Sequence, residues 1–175
     1  MNSLSIRSLT PADIPAMWRI NEEGLPGVGK VTPEAMIDLL TLAELPLGAL
    51  DGGQLVGFVL CLVPETQYGS PNYAWFNDRY QHFLYVDRIA VAETHRDRGI
   101  GSRLYRRIIE EADSRHWPIA AEVSALPLNA GSMRFHARHR FDAVGTLEHP
   151  NQTVTMFLRP IAGGGTPQRT AHNAG

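Results

Sequence analysis

Between Phe83 and His116 the hydrophobic pattern changes period once, and that change constrains the fold more than any other feature. Phe83 to Ala92 gives the strongest strand signal in the chain, with Leu84, Tyr85, Val86, Ile89, Ala90 and Val91 among its apolar residues. From Ile100 the apolar side chains Ile100, Leu104, Ile108 and Ala112 recur every four residues, marking a helix that lasts to about His116. The turn Arg96-Asp97-Arg98-Gly99-Ile100-Gly101 joins the two. A strand, a turn and a long amphipathic helix in direct succession belong to an α/β chain.

The flanking segments supply further elements. Leu4 and Ile6 alternate with Ser5 and Arg7 in a short strand. Thr10-Pro11 then offers a cap and a first-turn proline to a helix striped by Ile14, Met17, Trp18 and Ile20 and ended by Gly24. Thr32-Pro33-Glu34 repeats the signal ahead of Met36, Ile37, Leu39 and Leu40. Leu47–Leu50 and Leu55–Val63 read as a hairpin through Asp51-Gly52-Gly53-Gln54. The stretch Pro64 to His82 has no clean period and reads as a long loop carrying Tyr68, Tyr73, Trp75, Phe76 and Tyr80. Downstream come a strand at Pro118–Ser124, a turn at Leu126–Asn129, a helix at Ser132–His139 and a strand pair at Phe141–Leu147 and Thr153–Leu158. Residues 1–160 thus form one expected domain, and the glycine-rich tail 161–175 is expected to be disordered.

Composition narrows the class. A chain of 175 residues with 43% hydrophobic content can bury a core without staples. A net charge of −2 supplies no field to recruit nucleic acid. No apolar run approaches the length of about 18 residues needed to span a bilayer, and no signal peptide is visible. The single cysteine, Cys61, lies in an apolar run and reads as a buried thiol in a reducing compartment. His95, His116, His139 and His149 lack metal-ligand spacing and read as surface residues. These readings point to a cytoplasmic protein without a membrane, nucleic-acid or metal partner.

The chemistry concentrates at the turn. Gly99 and Gly101 let backbone close on a ligand, and the first N–H groups of the following helix have no intrahelical partner. With Arg96, Arg98 and Arg103 alongside, the turn is suited to a phosphate or pyrophosphate. Glycines that serve only packing are the competing reading. The spacing matches neither the dinucleotide fingerprint nor the nucleoside-triphosphate loop.

Arg-x-x-Gly-x-Gly directly after Ile89-Ala90-Val91, with an amphipathic helix behind it, resembles motif A of the GNAT superfamily of acyl-CoA N-acyltransferases. Asn129, Ser132, Phe135, His136 and Phe141 resemble that family's next conserved helix. The element order also resembles the family's, over roughly Leu4 to Arg159. The resemblance implies a mixed central sheet of about seven strands flanked by helices. In order these are strand, two helices, three strands, then helix, strand, helix and two closing strands. It implies acetyl-CoA as cosubstrate, its pyrophosphate on the backbone amides of Arg98, Gly99, Ile100, Gly101 and Ser102. It further implies that Ile89 and Val91 pair with the pantetheine arm, which Asn129 contacts or for which it holds open the neighbouring strands. Two positions depart from the family pattern: His136 stands where a tyrosine is common, and Arg140 where a glycine is.

The implied reaction is direct attack of an amine on the thioester carbonyl. His136 is either the acid for the leaving thiolate or a packed helix residue. Asp87 and Glu122 are the leading base candidates, Asp87 with the alternative of an ion pair to Arg88, and Glu22 and Glu23 stand behind them. The aromatic stretch, with Tyr73, Trp75 and Tyr80, is either an acceptor wall or a packing cluster or dimer contact, which leaves a homodimer open. The expected acceptor is a small-molecule or peptide amine. An acyl-CoA sensor with no productive acceptor site is the second hypothesis.

Overall fold

Two α-helices, and the short 3-10 turn Pro11–Asp13 that leads into a third, begin on the same local device, a hydroxyl cap followed by proline. In the computed structural model, which describes residues 4–164 and Gln168, Thr32 Oγ1 accepts from the Ala35 N–H at 3.1 Å and Ser70 Oγ from the Tyr73 N–H at 3.3 Å. At Thr10 the device is a capping box, in which Asp13 Oδ2 accepts the Thr10 N–H at 2.8 Å. The Arg7 guanidinium grips both oxygens of Asp13, at 2.8 and 2.9 Å. That pairing holds the Asp13 carboxyl at about 2, below the ordinary carboxylate range.

The elements follow as β1 (Leu4–Ser8), α1 (Ile14–Glu23), α2 (Pro33–Leu42), β2 (Leu45–Asp51), β3 (Gln54–Leu62), α3 (Pro71–Arg79), β4 (Leu84–Val91), α4 (Ile100–Arg115), β5 (Ile119–Leu126), α5 (Ala130–Arg138), β6 (Asp142–His149) and β7 (Gln152–Arg159). The seven strands make one mixed sheet of order β1-β2-β3-β4-β5-β7-β6. The expected fold class is therefore present, and most elements stand within about two residues of their sequence-derived bounds.

One expectation is overturned. The stretch 64–82 is not a continuous loop, because α3 occupies Pro71–Arg79 within it. Tyr73 and Phe76 are buried three residues apart and Tyr80 follows four residues later, the spacing of a helix face. Tyr68, which precedes the helix, and Trp75, off that face, blurred the period, while Ser70-Pro71 marked the start as plainly as the two earlier pairs did.

The described residues divide into two compact units, 4–62 with 86–111 and 63–85 with 112–164. In the first, β1, β2 and β3 form an antiparallel meander, with Leu4 opposite Asp51 and Leu45 opposite Cys61. Helices α1 and α2 pack on each other and on β3, and Met17, Ile20, Met36, Phe58, Val59, Leu60 and Leu62 are wholly buried. In the second, Leu84 and Tyr85 pair in parallel with Ile119 and Ala120, and β5, β7 and β6 continue antiparallel. Tyr73, Phe76, Phe83 and Tyr85 form an aromatic core there, with ring centroids 5.4–6.3 Å apart. Of the expected tail, residues 165–167 and 169–175 lie outside the described residues, and Gln168 bridges to Tyr80.

Trp75 fixes α3 to β6. The β6–β7 register shifts between Ala143 and Gly145, and a Cβ added at Gly145 would sit 2.6 Å from the Trp75 ring. The Arg79 guanidinium covers that ring at 4.0 Å. Gly145→Ala should therefore cost about 1–3 kcal/mol by overpacking. Much of that loss should disappear in a Trp75→Ala background, a non-additivity that a double-mutant cycle of thermal unfolding measures.

Candidate functional site

The turn after β4 is built from backbone conformations that few side chains favour. Asp97 and Gly99 take φ of +59° and +73°. A Cβ at Gly99 would meet nothing within 4 Å, so open space lies against the backbone at the head of α4. Ile100 is buried and anchors the helix start, while Arg98, Gly99 and Arg103 are exposed and Gly101 and Ser102 half-buried. A helix of 16 residues thus presents its positive end beside open backbone, with two exposed guanidinium groups near it.

Arg96 also braces the turn. Its Nη2 donates to the Glu23 carbonyl at 2.6 Å and its Nε to the Val91 carbonyl at 3.3 Å, fastening the turn to the end of α1. Glu23 reciprocates, its Oε2 accepting the Glu93 N–H at 2.7 Å, and Glu22 beside it is half-buried.

Of the two readings for Asp87, the ion pair is the one observed. Arg88 Nε donates to Asp87 Oδ2 at 2.8 Å, and the Asp87 side chain is 4% exposed. Arg88 Nη1 also donates to Asn21 Oδ1 at 3.0 Å and to the Gly29 carbonyl at 3.1 Å, which Asn21 Nδ2 reaches as well. Trp18 Nε1 holds the Val31 carbonyl at 3.0 Å. The segment between α1 and α2 is thereby pinned from three side chains. Nearby, Cys61 is fully buried, and that burial, with the Asp87 charge as a smaller cause, pushes its thiol far up. Ile89 and Val91 are half-buried along β4.

Glu122, in the second unit, has a polar setting. Its Oε1 accepts from the Tyr85 hydroxyl at 2.9 Å and from Asn72 Nδ2 at 3.1 Å. Asn72 Oδ1 in turn meets His149 Nε2 at 2.8 Å. Sequence reasoning missed Asn72, which lay in the stretch read as loop, and took His149 for an isolated surface residue. Only the Ser70-Pro71 helix start could have drawn attention to Asn72.

His136 and Asn129 belong to α5. Asn129 caps the helix, its Oδ1 accepting the Ser132 N–H at 3.1 Å. His136 is 4% exposed, stacks on Phe157 at 5.7 Å and meets Phe141 edge-on at 5.0 Å. Its Nδ1 donates to the Ser132 carbonyl at 2.8 Å. Burial pushes its pKa below the ordinary value, favouring neutral imidazole. Just beyond, Arg140 takes φ of +63°, the left-handed conformation in which the family glycine would be unstrained.

The three aromatic candidates are tied up in packing. Tyr73 is 2% exposed, and its hydroxyl donates to the Val63 carbonyl at 2.7 Å while accepting the Thr66 N–H at 2.8 Å. Tyr80 is buried and Trp75 sits against Gly145. Among the described residues no cluster of His, Cys, Asp and Glu could hold a metal ion, and no helix is long and apolar enough to cross a membrane.

Removing the Arg88 guanidinium should leave Asp87 buried without its cation, so Arg88→Met should cost about 3–5 kcal/mol in urea unfolding. Arg88→Lys should recover only part, since a lysine cannot reproduce the fork. For His136 the sign follows from its lowered native pKa. Its contribution is fully present above the unfolded value of 6.5. It is lost as pH falls from there through the native value, because the unfolded chain then takes up the proton first. Melting temperature should accordingly drop more steeply from pH 7.5 to 5 in the native protein than in His136→Phe.

Known proteins match this arrangement. No curated protein matches the chain by sequence. Arabidopsis thaliana NAA60 in complex with acetyl-CoA superposes with a TM-score of 0.73 at 18% identity, over 91% of this chain and 100% of that one. The ribosomal-protein-S18-alanine N-acetyltransferase of Escherichia coli gives 0.73 at 16%, over 93% and 97%. Ard1 from Thermoplasma volcanium gives 0.72 at 19%, over 90% and 97%. At these identities the likeness is one of fold. The profile of the acetyltransferase (GNAT) family matches residues 14–141, most of the chain. The chain belongs to the GNAT acetyltransferase family and is an acyltransferase.

Proposed function

We propose that this protein transfers the acetyl group of acetyl-CoA to an amine, with Glu122 as the base. The observation that carries the reading is the open backbone at Gly99, at the head of α4. On it the backbone amides from Arg98 to Ser102 hold the pyrophosphate, and Arg98 and Arg103 add charge. Arg96 keeps the turn in shape from its place on the Glu23 and Val91 carbonyls. The backbone of Ile89 and Val91 pairs with the pantetheine arm. Support for the cosubstrate comes from the related NAA60 fold, solved with acetyl-CoA.

The amine nitrogen attacks the thioester carbonyl, and the Val91 N–H polarises the carbonyl oxygen. The C–N bond forms, the C–S bond breaks and the thiolate departs. Glu122 accepts the ammonium proton directly or through water. Asp87 answers a buried cation, and Glu122 accepts from the Tyr85 hydroxyl and the Asn72 amide. His136, neutral and packed, supports α5 on this reading rather than protonating the thiolate. The acceptor is a peptide or small-molecule amine, met in the cytoplasm, where the unpaired Cys61 stays reduced.

Calorimetry tests the cosubstrate site: the native protein should bind acetyl-CoA in the micromolar range, and Gly101→Glu should abolish binding by placing bulk and negative charge against phosphate. Glu122→Gln should lower kcat by about 10²–10⁴-fold at unchanged acetyl-CoA affinity. Unchanged kcat in that variant would move the base elsewhere.

A further inference from the structure

The hydrogen-bond chain behind Glu122 has a direction. A carboxylate only accepts, so the Asn72 atom 3.1 Å from Glu122 is the amide nitrogen. The opposite Asn72 atom is then the carbonyl oxygen, which also only accepts, so His149 Nε2, at 2.8 Å, carries a proton. Donation runs one way, from His149 to Asn72 to Glu122. The members are far apart in sequence, 50 residues between Asn72 and Glu122 and 77 between Asn72 and His149. Local chain geometry therefore does not explain their meeting.

Each member stands on a fixed element. Asn72 is the second residue of α3, whose start is set by the Ser70 cap and Pro71 and whose face is fixed by Trp75 against Gly145. His149 closes β6, opposite Gln152. Tyr85 brings a second donor to the same Glu122 oxygen from β4. Two donors on one carboxylate oxygen from different elements select its rotamer, the requirement on a group that must meet a proton in a fixed place.

We propose that Asn72 and His149 are positioning residues for the Glu122 carboxylate: Asn72 orients the carboxylate, and His149 orients Asn72. Neither touches substrate. The inference rests on the acetyl-transfer reading above and extends it to residues on α3 and at the end of β6. Losing Asn72 frees the carboxylate to leave its productive rotamer. Losing His149 frees the Asn72 amide to rotate, which presents oxygen instead of nitrogen to Glu122 and repels it.

The test is steady-state thiol release from acetyl-CoA, with a panel of primary amines and of peptides with free N-termini, on the full chain. With the fastest amine, Asn72→Ala and His149→Ala should each lower kcat about tenfold, the scale of one lost charge-assisted hydrogen bond. KM for acetyl-CoA should stay unchanged. His149→Gln keeps an N–H at the reach of the imidazole Nε2 and should recover most of the loss. A merely structural role would not give that rescue or that split. The Asn72 side-chain amide resonances give a readout without turnover. They should move in His149→Ala and return in His149→Gln. Native-like kcat in both alanine variants, or amide resonances indifferent to His149, would overturn the positioning role. Failure of the acetyl-transfer reading looks different: the native protein itself would release no thiol with any amine, and the positioning role would fall with it.

Discussion

A guanidinium taken out of water has to be met donor by donor, and Arg88 imposes that demand on the first unit. Its partners are the carboxylate of its own neighbour, the amide of Asn21 and the carbonyl of Gly29. Asn21 is wholly buried, so α1 must end where that amide can reach β4, and the segment after α1 must return its Gly29 carbonyl to the same point. Arg96 acts on the same helix from the turn, through the carbonyl of Glu23. Two arginines, one before the turn and one inside it, therefore set the end of α1 relative to β4. The conformation of the turn, with Asp97 and Gly99 in the left-handed region, is held by a frame made of hydrogen bonds and not by the turn alone.

The second unit solves a related problem with aromatic rings. Tyr73, Phe76, Phe83 and Tyr85 fill its interior, and both tyrosines send their hydroxyls to partners, as buried phenols must. The Tyr85 hydroxyl is the link between this apolar core and the polar chain through Glu122, Asn72 and His149. The carboxylate thus rests on side chains whose own rotamers are fixed by packing.

What the sequence disclosed follows from the range of each interaction. The strand, turn and helix from Leu84 to Arg115 were legible because periodicity, glycines and arginines all act within a few residues of one another. The pairing of Asp87 with Arg88 was open as an alternative for the same reason. Helix α3 was hidden by aromatic residues off its buried face, although its start carried the same hydroxyl-proline pair as the helices before it. The Asn72–His149 contact had no local signature at all. His136 shows a further limit: its type suggested proton transfer near neutral pH, while its burial against Phe141 and Phe157, which lowers its pKa, had no local signal.

The contrast between Asp87 and Glu122 shows why residue type alone does not assign a role. The Asp87 carboxylate compensates the buried Arg88 guanidinium, the group that organises the end of α1. Glu122 instead takes the Tyr85 hydroxyl and the Asn72 amide on its Oε1. Two carboxylates in one protein are thereby separated by what surrounds them, one beside a buried guanidinium and one accepting from a hydroxyl and an amide.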